Sequence, residues 1–222
     1  GAQELFFDIL KERAETGRIY IMNIDHCNTH SSFKDRVTMS NLCQEITLPT
    51  DPIQHIDGAG EIALCILSAI NVGTLKDLDE LEDLCEVAVR ALDEIIDYQN
   101  YPVTAAEIST KARRSLGIGY IGLAHYLAKN QVKYGDKGAL KVVHELTESF
   151  QYYLIKASVE LAKEKGKCEY FDRTKYAQGE LPIDHYKKDL DEVCSVKMKK
   201  NWDKLRKEIA EFGMRNSTLS AQ

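Results

Sequence analysis

Asn41, Cys43 and Glu45 stand at alternate positions of the stretch SNLCQEITLPT, residues 40–50. In an extended chain, side chains at i, i+2 and i+4 point to one side, about 6–7 Å apart at successive positions. A thiol can deliver and retrieve a hydrogen atom, a carboxylate can move a proton, and an amide donates and accepts without changing charge. The plainer reading is the polar outer face of an edge strand. Cys65, inside the apolar run IALCIL, supplies a second thiol. Two thiols and a carboxylate converging on one pocket could run redox or radical chemistry on a bound substrate. A buried cysteine is also a small hydrophobe. The residues alone leave both readings open.

The elements that must hold these groups follow from periodicity. ELFFDILKERA has helical spacing and stops at Gly17, and RIYIMNI alternates like a strand. Residues 26–40 are polar and irregular, which puts the 41–45 stretch at a loop-to-strand junction. IALCIL, after the turn PTDPIQHIDGAG, is continuous and apolar, as in a strand of a parallel sheet buried on both faces. Leu78 to about Tyr98 carries a helical apolar stripe with carboxylates in its first turns, where the helix dipole favours them. Further helices are predicted over 104–114, 120–130, 138–166 and 201–212, the last capped by Asn201 and stopped at Gly213. NSTLSAQ alternates like a strand starting up. The fold class is therefore α/β with parallel pairing, rich in helix.

Composition excludes several function classes. The 222 residues carry a net charge of −6 with no basic tract, which argues against a nucleic-acid partner. No apolar run approaches the roughly 20 residues of a membrane helix, so no membrane partner is expected. Cysteines at 27, 43, 65, 85, 168 and 194 form no CxxC pair, and reduced thiols in a cytoplasmic protein fit that spacing. His26, Cys27 and His30 lack a partner cluster, so loop hydrogen bonding is preferred to a metal site. Gly117, Gly119 and Gly122 spell GxGxxG, but after an Arg-rich helical stretch and without the usual following acidic residue; close backbone packing is the better reading.

The stretches GRIYIMNIDHCNTHSSF, SNLCQEITLPT, GEIALCILSAINVG, RRSLGIGYIGLAHYLAK and RNSTLSA, in that order, resemble the catalytic (large, alpha) subunit of aerobic class I ribonucleoside-diphosphate reductase. The resemblance runs through essentially all 222 residues. It implies part of a ten-stranded α/β barrel of two parallel halves. A central finger loop would cover about 38–48, a helical shell about 78–213, and a further barrel strand would start at 216–222. Cys43 resembles the cysteine that becomes a transient thiyl radical and removes the 3′ hydrogen of the ribose. Glu45 resembles the base for the 3′-hydroxyl proton, Asn41 the amide that orders the substrate, and Cys65 one of two thiols that reduce the 2′ position. Tyr152 and Tyr153 are read as core and interface residues, since the family's radical-relay tyrosines lie nearer its C-terminus.

The resemblance also implies what lies elsewhere. No cofactor or metal is expected on this chain, and the radical would originate in a separate metal-containing small (beta) subunit. Thioredoxin or glutaredoxin would supply reducing equivalents. Ribonucleoside diphosphates would be the substrates, and nucleoside triphosphate effectors would bind through segments absent here. The partner thiol of Cys65, the phosphate-cradling loop and the relay tyrosines also fall outside these residues, so the chain is expected to act with the remaining large-subunit segments, as a split subunit or an excerpt. Two further readings are a non-catalytic scaffold derived from the barrel and a thiol-exchange protein using Cys43 and Cys65, which needs their sulfurs within disulfide reach.

Overall fold

The computed structural model describes residues 1–55, 58, 60–185 and 187–220. Its sheet is built around a glycine-containing strand, β2 (Leu116–Ile121), which pairs in parallel with β1 (Ile66–Asn71) from Ile66 opposite Leu116 to Asn71 opposite Ile121. A parallel pair cannot be closed by a tight turn, because the chain must first return to the starting end. That return is made by α3 (Glu80–Tyr98) and α4 (Thr104–Arg113).

The opposite edge of β2 takes the segment after Arg215. The amides of Leu116 and Ile118 donate to the carbonyls of Thr218 (3.1 Å) and Leu219 (2.9 Å), and Ile118 bridges Ser220 in parallel. This second return runs through α5 (Leu123–Lys129), α6 (Lys137–Lys165) and α7 (Trp202–Phe212). The described residues thus form a helix-rich α/β arrangement with one two-stranded parallel sheet and a third segment bridged to it.

The core lies between the sheet and the long helices. α3 buries Leu81, Cys85, Val89, Leu92 and Ile96 at helical spacing, α6 adds Leu146, Phe150, Leu154 and Leu161, and α7 adds Trp202, Leu205 and Ile209. Asn201 caps α7 by accepting from the Lys204 amide at 3.0 Å, and Gly213 ends it at φ 73°. α1 (Ala2–Thr16) stops at Gly17 in the left-handed region, yet buries no residue; Leu5, Phe6 and Phe7 are all more than half exposed.

Several sequence expectations are corrected. RIYIMNI forms no strand, because no described segment pairs with it, and Tyr20 and Ile21 remain exposed. The polar stretch after it contains a helix, α2 (Ile24–His30), in which Asn28 and Thr29 donate back to the carbonyls of Ile24 and Asp25. The strand expected over IALCIL begins only at Ile66, since the Ile62 amide is drawn to the Ala105 carbonyl; Cys65 immediately precedes β1. The helix expected from 120 starts at Leu123, and Gly117 and Gly119 belong to β2. Gly122 makes that junction at φ 81°, where an added Cβ would lie 2.5 Å from Asn71 Oδ1.

Candidate active site

The stretch expected to be extended is a turn. The Gln44 amide donates to the Asn41 carbonyl at 3.1 Å, and Gln44 occupies the left-handed region at φ 62°. Short polar side chains replace a strand ladder here. Asn41 Oδ1 accepts from the Ile46 amide at 3.0 Å, and the Ser40 hydroxyl donates to the Ile46 carbonyl at 2.6 Å. Local hydrogen bonds of this kind compete with pairing, which alternation alone does not reveal.

The turn still brings two of the candidate groups together. Cys43 and Glu45 line one cavity of about 590 Å³, shared with His30, Tyr176, His185 and Ser220. Cys43 is exposed. Glu45 Oε2 is buried with no hydrogen-bond partner among the described residues. Asn41 faces a separate cavity of about 560 Å³, lined also by Ile46, Leu48 and Ile62. No acceptor among the described residues takes the hydrogens of its Nδ2.

Cys65 does not line the Cys43 cavity, but it is coupled to the same carboxylate. Burial, followed by the nearby negative charge of Glu45, pushes its thiol up to about 12. At neutral pH the group is a protonated thiol, suited to donating hydrogen and slow as a nucleophile. All six cysteines are free, so no disulfide joins Cys43 to Cys65. His30, whose pKa is lowered by burial first and then by His185 and Lys187, stacks edge-to-face on His185 at 6.0 Å. No group of three or more His, Cys, Asp or Glu placed to hold a metal ion occurs among the described residues.

Sequence reasoning missed the arginines that hold this loop. Arg113, at the end of α4, has a side chain only 2% exposed and donates through Nε to Glu61 Oε2 at 2.7 Å and through Nη2 to Asp35 Oδ2 at 3.1 Å. Arg173 Nε meets the same Asp35 oxygen at 2.7 Å, and its Nη1 reaches Glu61 at 3.1 Å. The signal was the pair Arg113-Arg114 directly before an apolar strand, where charge enters a core only with partners. Tyr152 and Tyr153 sit in helical packing, with Tyr153 buried and Tyr152 edge-to-face on Trp202 at 5.3 Å. Among the described residues no helix is long and apolar enough to cross a membrane.

Comparison with known proteins bears on the whole chain. The family model for "Ribonucleotide reductase, barrel domain" matches residues 1–222. Similar proteins include the ribonucleoside-diphosphate reductase subunit alpha of Haemophilus influenzae, 59% identical over 99% of this chain and 30% of its own length. That of Buchnera aphidicola subsp. Schizaphis graminum is 56% identical over 99% of this chain and 29% of its own. Ribonucleoside-diphosphate reductase 1 subunit alpha of Escherichia coli K12 is 54% identical with the same two coverages. The chain therefore spans about three-tenths of the length of these relatives. It belongs to the ribonucleotide reductase barrel-domain family.

Proposed function

We propose that this chain is a portion of the catalytic subunit of a ribonucleoside-diphosphate reductase, working with the remaining large-subunit segments and a separate radical-generating beta subunit. The observation that carries the reading is the shared cavity of Cys43 and Glu45, with a buried Glu45 oxygen left without a partner. A buried carboxylate oxygen without a hydrogen bond is costly unless it serves a ligand. A substrate hydroxyl is a donor of the right kind.

The chemistry follows from the groups. Cys43, as a thiyl radical, takes the hydrogen atom from C3′ of the ribose and becomes a thiol. Glu45 accepts the 3′-hydroxyl proton, which helps the 2′-hydroxyl leave as water. Cys65 and a second thiol outside this chain give up two hydrogens in total and become a disulfide, and Cys43 returns its hydrogen atom to C3′. The sum is one ribonucleotide and two thiols converted to one deoxyribonucleotide, one disulfide and one water. The raised pKa of Cys65 suits the step, because it keeps the proton on sulfur until it is needed. Asn41 supports the loop through Oδ1, and ordering the substrate requires its Nδ2 to turn from the neighbouring cavity toward the ribose in the assembled site.

The radical reaches Cys43 from the metal-containing beta subunit, and thioredoxin or glutaredoxin reduces the disulfide in the cytoplasm. Effector triphosphates act through other segments. In this reading residues 38–48 are the finger loop, 78–213 belong to the helical shell, and 216–222, of which 221 and 222 lie outside the described residues, begin a further barrel strand; the finger loop threads a site that excludes water from a reactive sulfur. The test is a large subunit carrying these residues, assembled with its beta subunit. Cys43→Ser is expected to abolish deoxynucleotide formation while substrate still binds, and this chain by itself is expected to give no turnover. Unimpaired turnover by the Cys43→Ser assembly would overturn the reading.

A further inference from the structure

The chain leaves and re-enters the body of the molecule at one place on either side of the candidate site. Asp35 precedes the Cys43 turn, and Asp51 and Glu61 follow it; Asp35 and Glu61 each meet both Arg113 and Arg173, and Asp51 meets Arg173. Beyond the bonds given above, Arg173 Nη2 lies 3.8 Å from Asp51 Oδ2. The backbone repeats the closure, with antiparallel bridges from Phe33 to Thr174 and from Asp51 to Glu61, and the Lys34 amide donates to the Arg173 carbonyl at 2.9 Å. Both guanidinium groups lie over the Tyr170 ring, Arg113 at 5.2 Å and Arg173 at 4.4 Å from its centre.

Inside that closure the turn is held mainly by itself. Among the described residues its outside anchors include the Asn28 side chain, bonded twice to the Val37 backbone at 2.8 Å, and the buried side chains of Val37 and Leu48. A planar guanidinium offers a fixed fork that can join two carboxylates at once, which a lysine ammonium does not do with the same geometry.

The geometry points to Arg113 and Arg173 as positioning residues for the proposed reaction: a two-arginine clamp joins both ends of the 35–61 excursion and fixes where Cys43 and Glu45 stand. This rests on the reductase reading given above. Neither arginine lines the Cys43 cavity, so each acts through the loop. A misplacement of about 1 Å in a reacting group can cost roughly a hundredfold in rate.

The test uses a full large subunit carrying these residues, assembled with its beta subunit. Arg173→Gln, at a side chain 34% exposed, avoids emptying a buried site; Arg113→Lys and Asp35→Asn are its companions. In Arg173→Gln, kcat is expected to fall by roughly ten- to a hundredfold with KM nearly unchanged. Amide hydrogen exchange is expected to quicken over residues 36–55 and to stay unchanged in α3 and α6. Arg113→Lys is expected to behave like a loss rather than a rescue. A normal kcat in Arg173→Gln, or a lowered kcat with exchange quickened throughout, would overturn the clamp. Those results leave the reductase reading untouched, because only turnover by Cys43→Ser addresses it.

Discussion

At the scale of single residues, Glu45 is the hub, since it lines the cavity of Cys43 and its charge reaches the sulfur of Cys65. Alkylation of Cys65 is therefore expected to be slow at neutral pH and to rise only toward pH 12, as followed by peptide mass after timed iodoacetamide exposure. Glu45→Gln removes the like charge and moves that rise to lower pH, while burial, the larger cause, keeps it above an ordinary thiol. The same shift acts on stability. Cys65, Cys85 and Cys168 are each held near 12 by burial, against 9.0 for a free thiol. The unfolded chain then binds fewer protons than the folded one between those values, so the stabilisation is full below about pH 9 and is lost as pH rises toward 12. A melting temperature that rose over that interval would contradict this assignment. The residue types that line this site were legible in the sequence, and the chemistry proposed for them came from the family resemblance. Their orientation was not legible: alternation suggested a strand with three side chains abreast, whereas Ser40 and Asn41 satisfy the backbone locally and turn Asn41 to another cavity.

At the scale of elements, legibility followed the strength of the local signal. α3, α6 and α7 have long apolar stripes and were read within two residues of their ends, with the Asn201 cap and the Gly213 stop correctly placed. The strands were harder, because a strand is defined by a neighbour that local sequence does not contain. RIYIMNI alternates and has no strand partner among the described residues, whereas LGIGYI, glycine-rich and next to a helix, pairs on both edges. Its end shows why a glycine is required. Gly122 sits at φ 81°, and a methyl group there would lie 2.5 Å from Asn71 Oδ1 and 3.0 Å from the Gly73 amide nitrogen. Gly122→Ala is expected to destabilise the protein by about 1–3 kcal/mol from the left-handed backbone, with the clash in addition. Adding Asn71→Ala should recover the part due to the Asn71 clash and leave the backbone part and the Gly73 contact, as read from denaturant midpoints of the two single variants and the double. Equal midpoints for Gly122→Ala and the wild type would show that the β2–α5 junction relaxes freely.

At the scale of the whole molecule, two polar arrangements tie distant segments, and burial decides their relative weight. Asp93 on α3 is fully buried and accepts from Arg114 Nε at 2.6 Å, Asn216 Nδ2 at 3.1 Å and Arg215 Nε at 3.2 Å. Asn216 in turn accepts from Ser158 of α6 at 3.0 Å and donates to the Arg114 carbonyl at 3.1 Å. One carboxylate thus fastens α3, α6, the end of α4 and the segment that bridges β2. By contrast, Arg90 and Glu164 join α3 to α6 through two bonds of 2.7 and 2.6 Å on side chains 34% and 53% exposed. Water and salt screen that pair, and its loss is expected to cost no more than about 1 kcal/mol. Asp93→Ala leaves two arginines without their buried partner and is expected to cost about 3 kcal/mol, toward the low end for a broken buried pair because Asp97 still binds Arg114 at 2.8 Å. Urea unfolding of Asp93→Ala and Glu164→Ala in parallel separates the two. The first should lower the midpoint severalfold more than the second, and raised salt should shrink the effect of Glu164→Ala without touching that of Asp93→Ala. Equal midpoints would mean that the fold is held by its apolar core alone, with the buried carboxylate replaceable.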